Sequence, residues 1–118
     1  MKLSIDGKRV YLACGATDMR KSINGLSAIV AGSFGLDPFA EAVFVFCNRN
    51  RDRIKVLVWD GDGFWLHFKR LEKGRFRWPG EGAEQTMTLT SEEMQILLSG
   101  TRVELKLKRN EVLERKVM

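Results

Sequence analysis

The stretch VFVFCNRNRDRIKVLVW, residues 43–59, decides the fold class of this chain of 118 residues. It holds two apolar runs rich in β-branched and aromatic residues, 43–47 and 54–59, on either side of a polar segment at 48–53. Runs of this length and composition are typical of β-strands, and a short polar segment between two of them indicates a hairpin. The sequence therefore predicts two adjacent antiparallel strands.

Two further runs extend the hairpin into a predicted antiparallel meander. Asp60–Gly63 supplies turn residues before a third run at Phe64–Leu71, and Glu72–Gly74 precedes a short fourth run at Arg75–Trp78. Aspartate is favoured in tight turns because its side chain bonds the backbone, and glycine is favoured because it tolerates positive φ. The proline and glycines at 79–82 then end the meander.

Strand alternation assigns side chains to the two faces of this sheet. Successive side chains of a strand point to opposite faces. In the third run, one face should carry Phe64, Leu66 and Phe68 and the other Trp65, His67 and Lys69. In the fourth run, Phe76 and Trp78 should oppose Arg75 and Arg77. We expect one face to pack on the helices while the other presents cations.

The first helix is predicted over residues 18–31, after a short strand at Val10–Ala13. Apolar side chains recur there at spacings of four, three and four residues, which aligns them on one helix face: Met19, Ile23, Leu26 and Val30. Thr17 or Asp18 is expected to cap the helix through a side-chain oxygen. The glycines at 32 and 35, with Pro38, should end it.

The second helix is predicted over residues 91–99, after a short edge strand at Thr86–Leu89. Thr90 and Glu93 match a capping box, and the helix is expected to close at Gly100. In the tail, apolar residues alternate with charged ones as in an exposed strand, at Val103, Leu105 and Leu107. Residues 112–118 suit a helix or a frayed end equally.

These elements predict a single α+β domain spanning residues 1–118. A four- to five-stranded antiparallel β-meander packs against the two helices, with a tail after residue 108 expected to be mobile. The length is ordinary for one domain, and 44% hydrophobic with 30% charged residues is a globular composition. No stretch approaches the roughly 20 apolar residues of a membrane span, and the amino terminus is too polar for a signal peptide. We therefore expect a cytoplasmic protein.

The two cysteines, Cys14 and Cys47, are expected to be core thiols. Disulfides are rare in a reducing compartment. A zinc site uses three or four Cys or His ligands, whereas the chain offers two cysteines and one histidine. Neither a metal nor another cofactor is predicted.

Positive charge is concentrated in one block of the chain. The net charge is +5, and residues 49–77 hold nine basic against four acidic side chains, so this block carries the whole excess. A localised excess suggests a polyanionic partner, because cations neutralise phosphates while aromatic rings stack on exposed bases. The predicted DNA contacts are Arg49, Arg51, Arg53, Lys55, Lys69, Arg70, Arg75 and Arg77. A solvated face over a tryptophan core explains the same composition equally well.

Two smaller features also have both a functional and a purely structural interpretation. Residues 49–53 suit either an arm that extends along a groove or a solubilising loop. The amino terminus of the first helix, with its free N–H groups, predicts a secondary anion or partner site formed by Gly15, Thr17, Arg20 and Lys21. An ordinary capped helix is the competing interpretation.

Catalysis is the weaker hypothesis. Asp60 and Asp62 lie in one turn, as do some aspartate pairs that bind magnesium, but no third acidic residue stands at a recognisable spacing. His67 has no accompanying nucleophile motif, and the chain contains no phosphate-binding Walker loop or dinucleotide fingerprint. The chain is therefore predicted not to be an enzyme.

Two ordered sets of motifs resemble one protein family. The first is YLACG at 11–15 with TDMRKS at 17–22, and the second comprises FVF at 44–46, RDRIK at 51–55, WDGDGF at 59–64 and KRLEKGRFRWP at 69–79. Over residues 9–100 the chain resembles the accessory proteins encoded by the second reading frame of IS66-family insertion sequences, the TnpB or Orf2-like proteins. After Gly100 it departs from them, because Arg102-Val103 stands where an aspartate-tryptophan pair is expected.

The resemblance implies a role in DNA transposition, beside a separate DDE-type transposase and a second small accessory protein of the same element. It transfers no catalytic residues to this chain. Three hypotheses follow: a DNA-binding module that helps the transposase complex assemble at element ends, a protein adaptor without direct DNA contact, and, less favoured, a metal-dependent nuclease using Asp60 and Asp62. No membrane partner is implied, and a homo-oligomer is compatible with each hypothesis.

Overall fold

A helical crossover after the first strand sets the architecture. A computed structural model describes residues 7–99. Within them the elements follow in the order β1 (Arg9–Ala13), α1 (Ile23–Ala28), β2 (Ala42–Cys47), β3 (Arg53–Trp59), β4 (Phe64–Arg70), β5 (Thr86–Leu89) and α2 (Ser91–Leu98). Helix α1 continues as a π-helical turn over Ile29–Ser33. Five strands in one sheet with two helices confirm the predicted α+β class.

The sheet is mixed, which corrects the prediction of a wholly antiparallel one. The strand order is β4-β3-β2-β1-β5. β1 runs parallel to β2, with Tyr11 opposite Phe44, whereas the β1–β5, β2–β3 and β3–β4 pairs are antiparallel. The physical reason is the α1 crossover, which returns the chain to the starting end of the sheet and so makes the next strand parallel.

The predicted fourth strand of the meander, Arg75–Trp78, is not a strand. After β4 the chain turns at Gly74, whose φ is +78°, and returns to the hairpin, where the Phe76 N–H donates to the Arg51 carbonyl (2.7 Å). The predicted alternation is confirmed, because Phe76 and Trp78 are buried and the two arginines are exposed. Burying each large ring contributes roughly 1.5–3 kcal/mol, so the segment covers a sheet face instead of extending the sheet.

Both faces of the central strand β2 are covered. All six of its residues are buried, as expected for a strand with a packed layer on each side. One face places Val43 and Val45 in a core cluster with Met94 of α2. The other places Phe44 in a cluster with Leu26 of α1. The two helices therefore lie on opposite faces of the sheet, which we call the α2 face and the α1 face.

Helix α1 begins later than predicted, at Ile23, after the N-cap residue Ser22. Thr17 and Asp18 therefore do not cap it, which corrects the predicted start at residue 18. The Thr17 N–H instead donates to the Cys47 carbonyl at the end of β2 (2.7 Å). This long-range bond holds the loop against the sheet. Lys55 Nζ also takes the Met19 and Lys21 carbonyls, which a helix starting at residue 18 would use internally, so the helix begins after them.

Helix α2 confirms the predicted capping box. Thr90 Oγ1 accepts from the Glu93 N–H (3.0 Å), and Glu93 Oε1 accepts from the Thr90 N–H (2.9 Å). The predicted end at Gly100 and the predicted tail elements lie outside the described residues. Between residues 7 and 99, no helix is long and apolar enough to cross a membrane.

Both cysteines are free thiols that border or enter the α2-face core. Cys47 is buried, and burial raises the pKa of its thiol to about 12. Cys14 is half-buried, and burial raises the pKa of its thiol, with the nearby Glu84 carboxylate acting in the same direction. A protonated thiol is a poor nucleophile, which agrees with the prediction of core residues.

Candidate nucleic-acid interface

Backbone hydrogen bonds bring three distant segments together at one end of the sheet. β1 and β2 are parallel, so their carboxyl ends lie side by side. There the Thr17 N–H donates to the Cys47 carbonyl (2.7 Å), and the Gly15 N–H donates to the Pro79 carbonyl (2.9 Å). Residues 14–17, the β2–β3 turn at 48–52 and residues 75–79 thus form one surface, which we call the hairpin end.

Asn48 fixes the shape of the β2–β3 turn. Its Oδ1 accepts from the Asp52 and Arg53 N–H groups (both 3.0 Å), and its Nδ2 donates to Asp52 Oδ1 (2.7 Å). The side-chain bond from Asn48 lowers the pKa of Asp52. Arg51 has a φ of 64°, which is uncommon for a residue other than glycine. The turn is a closed, hydrogen-bonded structure, so the extended-arm interpretation of residues 49–53 is wrong.

Three arginines project from the hairpin end. Arg49, Arg51 and Arg75 are all exposed, and none of the ion pairs between residues 7 and 99 includes them. The bond from the Phe76 N–H to the Arg51 carbonyl (2.7 Å) places Arg75 beside the turn. Charges from two separate segments are therefore combined on one fixed surface, where their fields add.

Arg53 and Arg70 lie next to the hairpin end on the α1 face. They are directly opposite each other in the β3–β4 pair. Each also contacts an acidic neighbour, with 3.6 Å between Arg53 and Asp52 and 3.0 Å between Arg70 and Glu72. Because such surface ion pairs contribute no more than about 1 kcal/mol, both guanidinium groups can exchange these carboxylates for phosphates.

The two predicted lysine contacts have their ammonium groups engaged in the fold. Lys55 Nζ donates to the Met19 and Lys21 carbonyls (2.7 and 2.8 Å), which holds the loop before α1 on the sheet. Lys69 Nζ donates to the Leu98 carbonyl at the end of α2 (2.6 Å), where helix carbonyls lack internal partners. By strand alternation Lys69 lies on the α2 face and Lys55 on the α1 face. The eight predicted contacts therefore do not share one face.

A groove of about 300 Å³ opens at the hairpin end. It is lined by Gly15, Ala16, Asn48, Arg49, Arg51, Trp78, Pro79 and Glu81. Gly15 has a φ of +78°, and a Cβ at this position would collide with the Glu81 side chain. Gly15 of the predicted secondary site thus lies with Arg49 and Arg51 of the predicted DNA-binding set.

The remainder of the predicted secondary site does not sit at a helix amino terminus. Thr17, Arg20 and Lys21 lie in the loop before α1. This position corrects the expectation that they would lie beside the free N–H groups of a helix amino terminus. Arg20 donates from two nitrogens to the Asp18 carboxylate, at 2.9 Å for the shortest bond. These bonds lower the pKa of Asp18 to about 2. Lys21 is exposed, and its carbonyl accepts from Lys55 Nζ, so the two residues are neighbours.

Comparison with known proteins assigns this arrangement to a family. The sequence model described as IS66 Orf2 like protein matches residues 8–108. The chain belongs to the IS66 Orf2-like family. The uncharacterized protein y4jC of Sinorhizobium fredii (strain NBRC 101917 / NGR234) is 36% identical over 96 residues, which cover 80% of each chain. The uncharacterized protein y4hO of the same organism is 39% identical over 93 residues, 78% of this chain and 79% of the relative. No solved structure matches the chain.

Three of the motifs that resemble the IS66 Orf2-like family meet at the hairpin end. YLACG at 11–15 ends in the groove, RDRIK at 51–55 begins in the turn, and KRLEKGRFRWP at 69–79 returns to both. Segments that are far apart in the sequence, with at least one strand between them, thus build one surface of this IS66 Orf2-like protein. The family name itself specifies an insertion-sequence product.

Sequence reasoning missed three residues of this region. Asn48 had a signal, because asparagine side chains often bond the backbone of the turns that they begin. Phe68 was placed on the correct face, but its exposure of 55% was not expected. Glu81 gave no local signal, since only the fold brings it against Gly15.

The aspartate pair lies in the β3–β4 turn, at the other end of the hairpin. Asp60 Oδ2 accepts from Trp65 Nε1 (2.8 Å), and the Asp60 N–H donates to the Gly63 carbonyl (2.8 Å). The His67 ring stacks with Trp65, with 6.0 Å between ring centroids. In the described part of the chain, no three His, Cys, Asp or Glu residues are grouped so that they could hold a metal ion. Asp60 and Trp65 therefore have a structural role in closing the turn.

Proposed function

We propose that this IS66 Orf2-like protein is a non-catalytic accessory factor for DNA transposition that binds DNA phosphates at the hairpin end. It would help a separate DDE transposase assemble on the element ends, in the cytoplasm and together with a second small accessory protein of the element. Family membership supports the role in an insertion sequence. The observation that supports DNA as the ligand is the convergence of Arg49, Arg51 and Arg75 around one ordered turn.

The geometry favours direct phosphate contacts by arginine. A guanidinium group offers several donors in a fixed plane and pairs with phosphate oxygens in two-bond geometry. The main chain of Arg51 is held by a backbone bond to Phe76, and that of Arg53 by a bond to Asn48. The turn therefore does not need to become ordered when DNA binds. Lys55 and Lys69 contribute positive field, while their ammonium groups remain bonded to carbonyls.

Salt dependence of DNA binding tests this proposal. The wild-type protein should bind a duplex that carries the element end, with an affinity that falls steeply as salt rises. The triple change of Arg49, Arg51 and Arg75 to Gln should reduce the slope of log K against log salt by about 2.7, because each lost phosphate contact removes about 0.9. Fluorescence anisotropy at several salt concentrations measures both quantities.

Arg9→Gln is the matched control for Arg51→Gln. Arg9 is also exposed but begins β1, so it lies at the end of the strand opposite the groove. The two variants have the same net charge, and only Arg51→Gln should lower the slope. The proposal fails if the wild-type protein shows no salt-sensitive binding to duplex or single-stranded DNA.

A protein adaptor is the second candidate. Two large apolar side chains, Phe39 and Trp65, are exposed near the β3–β4 turn, away from the hairpin end, and such side chains are typical of protein contacts when they are contiguous. An adaptor would hold the transposase without touching DNA. Co-purification with the transposase that survives glutamine substitution of Arg49, Arg51 and Arg53, in a protein that does not bind DNA, would establish this alternative.

A further inference from the structure

Phe68 is a large apolar side chain exposed within a basic surface. Its side chain is 55% exposed. Single exposed apolar residues are ordinary, so the exposure alone indicates nothing. Its neighbours distinguish it, because Phe68 lies directly opposite Lys55, and the next pair on the same face is Arg53 with Arg70. We call these four residues the Phe68 face.

Within residues 7–99, no element covers this corner of the sheet. In that part of the chain β4 is an edge strand, and the α1-face core is formed by residues of β1, β2, β3 and α1. Along β4, Phe64 and Leu66 pack partly against that core, whereas Phe68 and Arg70 are exposed. The ring therefore stands on a strand that is hydrogen-bonded to β3, beyond the reach of the helix.

The cross-strand neighbours of the ring on this face are basic. Lys55, directly opposite Phe68, has its Nζ held by the Met19 and Lys21 carbonyls, so its charge is fixed on the α1 face. Arg53 and Arg70 are like charges in direct cross-strand register, an arrangement that is destabilising without counter-charge. The carboxylates of Asp52 and Glu72 supply that counter-charge. Because these ion pairs are at the surface and weak, phosphates can replace the carboxylates.

We propose that the Phe68 face binds an unpaired segment of DNA, with one base stacked on the Phe68 ring and the flanking phosphates held by Arg53 and Arg70. This inference rests on the proposed function and specifies the form of DNA that is bound. Bases inside a duplex have both faces covered by their neighbours, so a ring on a flat sheet stacks only on an unpaired base. Such stacking is tolerant of base identity.

Charge favours nucleic acid over a protein on this surface. A protein that packed against Phe68 would remove three cations from water, at Arg53, Lys55 and Arg70, and removing charges from water is costly even when they are paired. A single strand supplies one phosphate per nucleotide and a flat base between phosphates. The phosphates of a single strand can therefore pair with the cations of the Phe68 face while a base stacks on the Phe68 ring.

Binding to a short oligothymidylate and to a blunt duplex of the same length tests the inference. The wild-type protein should prefer the oligothymidylate. Phe68→Ala should weaken oligothymidylate binding by about 5- to 140-fold, the effect of one lost stacked base. It should leave duplex binding and the salt slope unchanged, because no phosphate contact is lost. Phe68→Tyr should retain the wild-type affinity.

Phe39→Ala is the matched control, and crosslinking gives a second measurement. Phe39 is 56% exposed but contacts Trp59, at the end of β3 away from the arginines, so its loss should leave oligothymidylate binding unchanged. Thermal unfolding checks that each variant is folded. An oligothymidylate that carries 5-iodouracil should crosslink to the peptide containing Phe68, as mapped by mass spectrometry.

The outcomes separate this inference from the proposed function. If duplex binding is salt-sensitive but Phe68→Ala binds oligothymidylate as tightly as wild type, the inference is wrong and the proposed function stands. If Phe68→Ala instead converts a dimer to a monomer in sedimentation, the Phe68 face is an interface between two copies and the inference is again wrong. If the wild-type protein binds neither DNA, both proposals fail.

Discussion

At the scale of single residues, Gly15 and Gly61 share a backbone conformation but differ in their surroundings. Their φ angles are +78° and +77°. A side chain in this region costs about 1–2 kcal/mol, so both positions favour glycine. A Cβ at Gly61 would meet nothing within 4 Å, whereas one at Gly15 would collide with the Glu81 side chain. The close approach of Glu81 to Gly15 therefore comes from the packing of the groove, because the same backbone conformation at Gly61 has no such neighbour.

Gly15→Ala should lower the free energy of unfolding more than Gly61→Ala does. We expect Gly61→Ala to cost about 1–2 kcal/mol from φ alone, and Gly15→Ala to cost about 0.5 kcal/mol more because the exposed Glu81 side chain must move. Urea denaturation measures both values. In a Glu81→Ala background the two costs should become equal. Equal costs in the wild-type background would contradict the contact between Gly15 and Glu81.

At the scale of elements, the two helices differ in how far their own residues stabilise them. α2 has a capping box, acidic residues in its first turn, and a carbonyl at its end bonded by Lys69. α1 has six residues, no side-chain capping bond and no acidic residue in its first turn. It depends on burying Leu26, together with Val30 of the following π-helical turn, against the sheet. For this reason the sequence predicted the start of α2 correctly and misplaced the start of α1.

Thr90→Ala should destabilise the protein more than Ser22→Ala. Both residues are N-caps, but only Thr90 accepts a capping hydrogen bond through its side chain. Loss of that bond should cost about 0.5–2 kcal/mol, whereas Ser22→Ala should change the free energy of unfolding by less than about 0.5 kcal/mol. Chemical denaturation followed by circular dichroism gives both values. Equal effects would show that the capping box does not stabilise α2.

At the scale of the whole molecule, Trp78 joins the two halves of the chain. It is buried in the α2-face core, and its Nε1 donates to the Ala13 carbonyl (2.9 Å), 65 positions earlier in the sequence. This bond holds the 75–79 segment over the end of β1. The position of Arg75 beside the β2–β3 turn therefore depends on a buried side chain from the same segment.

Trp78→Phe should reduce stability more than Trp65→Phe. Each change removes one indole hydrogen bond, but Trp78 is buried and Trp65, which donates to Asp60, is 49% exposed. We expect about 1–3 kcal/mol for the buried position and no more than about 1 kcal/mol for the exposed one, where water replaces the lost partner. Thermal unfolding of both variants checks the order. A larger effect at Trp65 would contradict the anchoring role of Trp78.

The sequence by itself determined the local features of this protein. The apolar runs of β2 and β3, the alternation in 75–78 and the capping box of α2 follow from the periodicity and chemistry of adjacent residues, and the ordered motifs identified the family. The tertiary structure decided which segments meet. The parallel register of β1 with β2, the late start of α1 and the contact of Gly15 with Glu81 all depend on long-range hydrogen bonds and packing. Such contacts form between residues far apart in the chain, so no local pattern encodes them.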